Sequence, residues 1–182
     1  MGQYYAVLVE DLEGNREVYS PKVNGEFYGQ KLTEHSWWYN AFVNTICHMI
    51  FKSPKRVAWV GDYSDDVGFE HYSLVWGKDA TAKGVDEAQV TLWDKYLVNH
   101  TKKQYIKCND YYLRCADGNY DNNWVLHPLS LLTCVGNGQG GGDYWSKVGE
   151  EYVGAWCEDI VSVEIEEPKD YQLLDDVVFK ET

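Results

Sequence analysis

The feature that most constrains this fold is a series of short apolar segments, rich in β-branched and aromatic residues and separated by turn residues. Residues 4–10 and 16–20 flank the turn Glu13-Gly14-Asn15, which predicts a β-hairpin. A second hairpin is predicted from residues 96–100 and 104–107, with its turn at 101–103. Further strands are predicted over residues 55–61, 129–135, 153–156 and 160–165.

One segment has clear helical periodicity. Its apolar residues recur at the three-and-four spacing of a buried stripe: Trp38, Phe42, Ile46, Met49 and Ile50. Thr33 or Ser36 can cap this helix, and Ser53-Pro54 ends it, whereas residues 109–123 read as turns. About seven or eight short strands and one principal helix predict an α+β fold, a mainly antiparallel sheet with the helix packed on one face.

The length of the chain suits one domain spanning residues 1–182. A domain of this size buries roughly 70% of the surface that its unfolded chain exposes. The first residues lack the basic region and apolar stretch of a signal peptide, and no window has the apolar length of a membrane span. We therefore expect a soluble, cytoplasmic protein with no membrane partner.

The charge is strongly unbalanced, with a formal net charge of -13. Residues 158–182 form an acidic C-terminal segment that holds nine Asp and Glu residues against Lys169 and Lys180. Such a field repels phosphate polymers and attracts basic surfaces, so a basic protein is the favoured kind of partner. Acidity alone is more often a device that keeps a protein dispersed.

The five cysteines are odd in number, are irregularly spaced and form no C-x-x-C pair. This pattern predicts free, mostly buried thiols and neither a metal site nor a cofactor. Cys134, His127 and Asp143 have the residue types of a nucleophilic triad. A strand over 127–134 would hold its ends over ~20 Å apart, so we expect no enzyme, and a cysteine-dependent enzyme is a lesser alternative.

The glycine-rich loop 136–142 is the nearest approach to a chemical motif. Its backbone N–H groups could cradle a phosphate, which makes a phosphate-bearing small ligand an alternative function. The loop lacks the Lys-Ser or Lys-Thr ending of a P-loop and the following helix of a dinucleotide site. A bound anion would also meet Asp143, and a simple surface loop fits the same sequence.

Basic residues cluster in two stretches with tyrosines near the second. This is one pattern that holds nucleic acid, so direct DNA contact is a possibility for Lys52, Lys55, Arg56, Lys102, Lys103 and Lys107. The overall acidity opposes phosphate binding at long range.

Three stretches carry a resemblance to known proteins: residues 31–37 (KLTEHSW), 56–63 (RVAWVGDY) and 127–134 (HPLSLLTC), the last of which runs into the glycine loop. Together they resemble a family of proteins from gut bacteria and their phages. Within that group the chain is similar to the type II-A anti-CRISPR proteins, phage-derived inhibitors of the RNA-guided DNA nuclease. That class shares no diagnostic motif, and no catalytic residue can be carried over from it.

The resemblance implies a non-enzymatic inhibitor that binds a type II-A CRISPR nuclease and blocks target DNA recognition or cleavage in the bacterial cytoplasm. The nuclease holds its nucleic acids in strongly positive channels. We therefore expect acids of this chain to meet the partner, namely Glu164, Glu166, Glu167 and Asp170, with Asp62, Asp65 and Asp66.

Overall fold

The structure is a computed structural model that describes residues 1–23, 26–27, 29–64, 82–84 and 91–181. In this part of the chain no helix has the length and apolar character needed to cross a membrane.

A mixed sheet forms the centre of the fold. In chain order its strands are β1 (Tyr5–Glu10), β2 (Arg16–Ser20), β5 (Lys55–Gly61), β6 (Ala82–Gly84), β7 (Tyr96–Asn99), β8 (Gln104–Lys107), β9 (Cys134–Val135), β10 (Ile160–Glu164) and β11 (Gln172–Leu173). A separate small hairpin pairs β3 (Lys22–Val23) with β4 (Glu26–Phe27). The order across the sheet is β11-β8-β7-β10-β5-β1-β2-β6, and β9 pairs with β5.

The inner pairings of the sheet are antiparallel, from β8 through β7, β10, β5 and β1 to β2. Three pairings are parallel and short: β11 with β8, β6 with β2, and β9 with β5. Both predicted hairpins are present, and the α+β prediction with a mainly antiparallel sheet is confirmed.

The helices are several and short, so one principal helix is not clearly shown. They are α1 (Leu32–His35), α2 (Ala41–Met49), α3 (Cys108–Cys115) and α4 (Pro128–Thr133), with a 3₁₀ turn at Glu150–Tyr152. The helix predicted from the apolar stripe is α2. Its cap is Asn40, whose side chain accepts a hydrogen bond from the Val43 N–H, so the prediction of Thr33 or Ser36 as the cap was wrong.

Three local predictions were wrong for physical reasons. Residues 129–135 form α4 and the two-residue β9, because His127 caps the Leu129 N–H and Pro128 occupies the first helical turn. Residues 109–123 begin as helix α3, whose buried residues recur at helical spacing. Residues 153–156 form turns, with Gly154 at a φ of 74° and its N–H donating to the Leu131 carbonyl.

The main core lies between one face of the sheet and helices α2, α3 and α4. Alternate residues of the inner strands point into it, Val7 from β1, Trp59 from β5 and Val163 from β10 among them. The opposite face carries a smaller cluster that includes Leu8 and Val60.

The acidic C-terminal segment contributes strands to the sheet and side chains to the core. β10 pairs with β5 and β7 in the middle of the sheet, and β11 lies at the edge. Beyond β11 the segment places Leu174, Val177 and Phe179 in the main core. Asp175 and Asp176, which are exposed between Leu174 and Val177, are therefore held on a fixed surface.

Candidate binding surface

Four of the predicted acids lie together at the end of β10 and in the turn that follows. We call residues 164–170 the acidic turn. Glu164 is partly exposed, whereas Glu166, Glu167 and Asp170 are exposed. Exposed carboxylates held on a fixed backbone can meet a basic partner without first being ordered.

Hydrogen bonds attach the acidic turn to the sheet. The hydroxyl of Ser162 donates to Glu164 Oε1 at 2.6 Å. The hydroxyl of Tyr105 on β8 donates to Glu167 Oε1, also at 2.6 Å. That bond, together with burial, raises the pKa of Tyr105 to about 12. The turn therefore keeps its shape through contacts with β8 and β10.

His100 holds the far end of the turn. Its Nε2 lies 2.7 Å from Ser162 Oγ, and its Nδ1 lies 3.2 Å from the hydroxyl of Tyr171. Because Ser162 gives its own proton to Glu164, its oxygen accepts from His100 Nε2–H, and Nδ1 accepts from Tyr171. Burial lowers the pKa of His100. Ser162 is fully buried, so this contact positions the turn and does not activate a nucleophile.

Asp62 does not belong to the acidic turn. Its Oδ1 accepts a hydrogen bond from the Tyr4 N–H at 3.0 Å, just beyond the end of β5. β5 and β10 run antiparallel with Arg56 opposite Ile160, so Asp62 and Glu164 lie beyond opposite ends of the pairing. The separation along the strands is roughly 30 Å at the usual rise per residue. Asp65 and Asp66 lie outside the described residues.

Three of the predicted basic residues form ion pairs with acidic residues. Lys102 pairs with Asp159, Lys107 with Asp110 at 3.3 Å, and Arg56 with Glu10 at 3.5 Å. The hydrogen bond to Asp110 raises the pKa of Lys107. These carboxylates offset the charge that would attract phosphate.

The other three predicted cations have different surroundings. The Lys52 ammonium lies 5.6 Å from the centre of the Phe51 ring. Lys55 is partly exposed at the start of β5, and Lys103 is exposed in the turn between β7 and β8. Three of the six cations are thus paired with carboxylates, which weakens the prediction of a nucleic-acid contact.

The backbone N–H groups of the glycine loop bind a carboxylate of the same chain. One oxygen of Asp143 accepts from the N–H groups of Gly138, Gln139 and Gly140 at 2.8, 2.7 and 2.9 Å. The other accepts from the Tyr5 hydroxyl at 2.8 Å. The amides that could cradle a phosphate thus already hold a carboxylate, and a phosphate at these three groups would have to displace it.

The residues considered for a cysteine triad are bonded elsewhere. The Cys134 thiol donates to the Leu131 carbonyl, and burial raises its pKa. His127 Nδ1 accepts from the Leu129 N–H, which leaves the proton on Nε2, 3.5 Å from Cys47 Sγ. The nitrogen that faces the Cys47 thiol is therefore a donor and cannot act as its base. Among the described residues no group of three or more His, Cys, Asp or Glu side chains could hold a metal ion.

Sequence reasoning missed an aromatic pocket on the surface. The pocket has a volume of about 440 Å³ and is lined by Trp38, Tyr39, Thr91, Trp93 and Tyr120. The run Trp37-Trp38-Tyr39 was a usable signal, because one helical stripe cannot bury three consecutive aromatic side chains. Trp93 and Tyr120 come from distant parts of the chain, and only the fold brings them there.

Comparisons of the chain with known protein families, with curated proteins and with solved structures found no match.

Proposed function

We propose that this protein is a non-enzymatic inhibitor that binds a type II-A RNA-guided DNA nuclease in the bacterial cytoplasm and blocks target DNA recognition or cleavage. The observation that carries the proposal is the acidic turn, whose exposed carboxylates are held on the sheet by Ser162 and Tyr105. A nuclease of this class presents positively charged channels that such a surface can enter.

The energetics of association favour this function. Long-range attraction between the chain, with its net charge of -13, and a basic protein speeds and orients the encounter. Because the hydroxyls of Ser162 and Tyr105 hold Glu164 and Glu167 on the sheet, little conformational entropy is lost when the turn binds.

The groups considered for a cysteine-dependent enzyme have structural surroundings in this fold. The Cys47 and Cys134 thiols are buried, and burial raises the pKa of both. A thiol of raised pKa holds little of the thiolate that acts as a nucleophile. Asp143 is saturated by donors from Tyr5 and the glycine loop.

The test is a DNA cleavage assay with purified guide-loaded type II-A nuclease, in which this protein is titrated against a fixed enzyme concentration. We expect cleavage to stop near a one-to-one ratio. Adding target DNA before the inhibitor, in a parallel series, identifies whether DNA loading is the blocked step. Full cleavage at a large excess of the protein, with several nucleases of the class, would refute the proposal.

A further inference from the structure

The aromatic pocket is a box built from separate parts of the chain. Trp38 forms its buried base, and Tyr39 and Tyr120, which are 52% and 61% exposed, stand at its mouth. Trp93 precedes β7 and packs edge-on against Trp38, with ring centres 6.5 Å apart. Tyr112 of α3 supports the base at 5.0 Å from Trp38 and 5.5 Å from Trp93.

The ring angles indicate the kind of ligand. The planes of Trp38 and Trp93 are at 90°, and those of Trp93 and Tyr120 at 65°. Rings at these angles wall the pocket in more than one plane, with aromatic faces and edges around a small space. Aromatic faces are electron-rich, so a box of this form favours a cation.

The charge around the pocket agrees with a cationic ligand. Trp93 and Tyr120 are each followed by an exposed aspartate, Asp94 and Asp121. Lys95 is the nearby cation in the sequence, and its ammonium donates to the Trp93 carbonyl at 3.2 Å. It is not among the residues that line the pocket.

A separate cleft beside the acidic turn includes the residue that follows Trp93 in the chain. This cleft has a volume of about 150 Å³ and is lined by Asp94, Lys95, Tyr96, Lys107, Asn109 and Ile165. Asp94 directly follows the pocket residue Trp93, and Ile165 is the second residue of the acidic turn. A basic partner that covers the acidic turn and this cleft would therefore extend toward Trp93.

We propose that the aromatic pocket binds the guanidinium group of an arginine side chain on the basic protein partner. Guanidinium is planar, is more weakly hydrated than ammonium and stacks on aromatic faces, so it suits a box of indole and phenol rings. The identity of the partner rests on the proposed function, whereas the preference for a guanidinium group can be tested without the nuclease.

The experiment labels the eight tryptophans with 5-fluorotryptophan and follows them by ¹⁹F NMR, with the Trp93 signal assigned from Trp93→Phe. A blocked Gly-Arg-Gly peptide is titrated against the same peptide with citrulline, the neutral isostere of arginine. We expect the Trp93 signal to shift with the arginine peptide at an affinity at least about three-fold higher than with citrulline. Equal response to both peptides, or no response to either, would overturn the inference.

Two surface variants test whether the arginine peptide binds at the aromatic pocket. Tyr120→Ala is expected to weaken binding of both the arginine peptide and the nuclease by at least about three-fold, because it removes one aromatic face. Tyr4→Ala, at a tyrosine that is 42% exposed beside Asp62, is the matched control and should change neither. A Tyr120→Ala protein that binds both ligands as tightly as wild type would contradict the proposal.

The two proposals fail separately. Inhibition of the nuclease without arginine selectivity in the pocket would overturn this inference and leave the proposed function standing. Arginine selectivity without binding to any nuclease of the class would overturn the proposed function and, with it, the partner assigned to the pocket.

Discussion

At the scale of single residues, His127 shows how burial decides what a reactive side chain can do. The imidazole is fully buried, caps α4 through Nδ1 and faces the Cys47 thiol through Nε2. Burial lowers its pKa from 6.5 to about 3. A histidine held neutral in this way has a structural role, and its burial lowers the free energy of unfolding when the solution becomes acidic.

The buried imidazole predicts a pH dependence of stability. Between pH 6.5 and pH 3 the unfolded chain takes up a proton at His127 and the folded chain does not. The contribution of His127 to the free energy of unfolding is therefore complete above pH 6.5. It falls by about 1.4 kcal/mol per pH unit as the pH drops below that value. His127→Asn, which keeps a capping oxygen, should reduce that slope in urea denaturation at pH 4 to 6.

His48→Gln, a change at an exposed position of α2, is the matched control. If the free energy of unfolding of the His127→Asn variant falls with pH as steeply as that of the wild type and of this control, the imidazole is not buried in its neutral form.

At the scale of secondary structure elements, the C-terminal segment is the part that sequence reasoning described least well. Its acidity was plain from composition, but composition did not distinguish a loose tail from a segment anchored in the core. The anchors are Leu174, Val177 and Phe179. Two acids separate the first from the second, and the successive spacings of three and two residues keep to neither a helical nor a strand period. Their burial depends on contacts with distant elements, such as Tyr111 and Tyr144 around Phe179.

The anchored segment predicts a large effect of one core truncation. Phe179→Ala removes a buried ring and should lower the free energy of unfolding by about 3–5 kcal/mol. Leu173→Ala, at a residue that is 38% exposed on β11, should cost less than about 1 kcal/mol. Urea denaturation followed by tryptophan fluorescence measures both. Similar small losses in the two variants would mean that the segment is not part of the cooperative fold.

The buried helix α4 illustrates a second limit of pattern reading. Its six residues are all buried, so their apolar run had no period that separated a helix from a strand. The decisive signals were local: a proline at the start of the run and a histidine positioned to cap it. The hairpins were predicted correctly because turn residues and β-branched strands lie next to each other in the chain.

At the scale of the whole molecule, topology decides which acids share a surface. Composition predicted the acidic C-terminal segment, and Glu166, Glu167 and Asp170 are exposed as a binding role requires. The antiparallel register of β5 and β10, which no local pattern encodes, places Asp62 far from them. The fold likewise brings Trp93 and Tyr120 to Trp38 in the aromatic pocket, which the sequence alone did not suggest.

If the acidic turn binds the nuclease electrostatically, as proposed, the affinity depends on salt through the charges of that turn. The variant Glu166→Gln/Glu167→Gln/Asp170→Asn removes three charges, keeps an acceptor for Tyr105 and keeps a residue suited to the φ of 63° at position 170. The control Glu13→Gln/Glu34→Gln/Glu150→Gln removes three exposed charges elsewhere.

The affinity for guide-loaded nuclease is measured by calorimetry at several salt concentrations. We expect the acidic-turn variant to bind about ten-fold more weakly than wild type at low salt and to lose much of its salt dependence. The control should stay close to wild type in both. Equal affinities and equal salt slopes for the two variants would show that the acidic turn is not the binding surface.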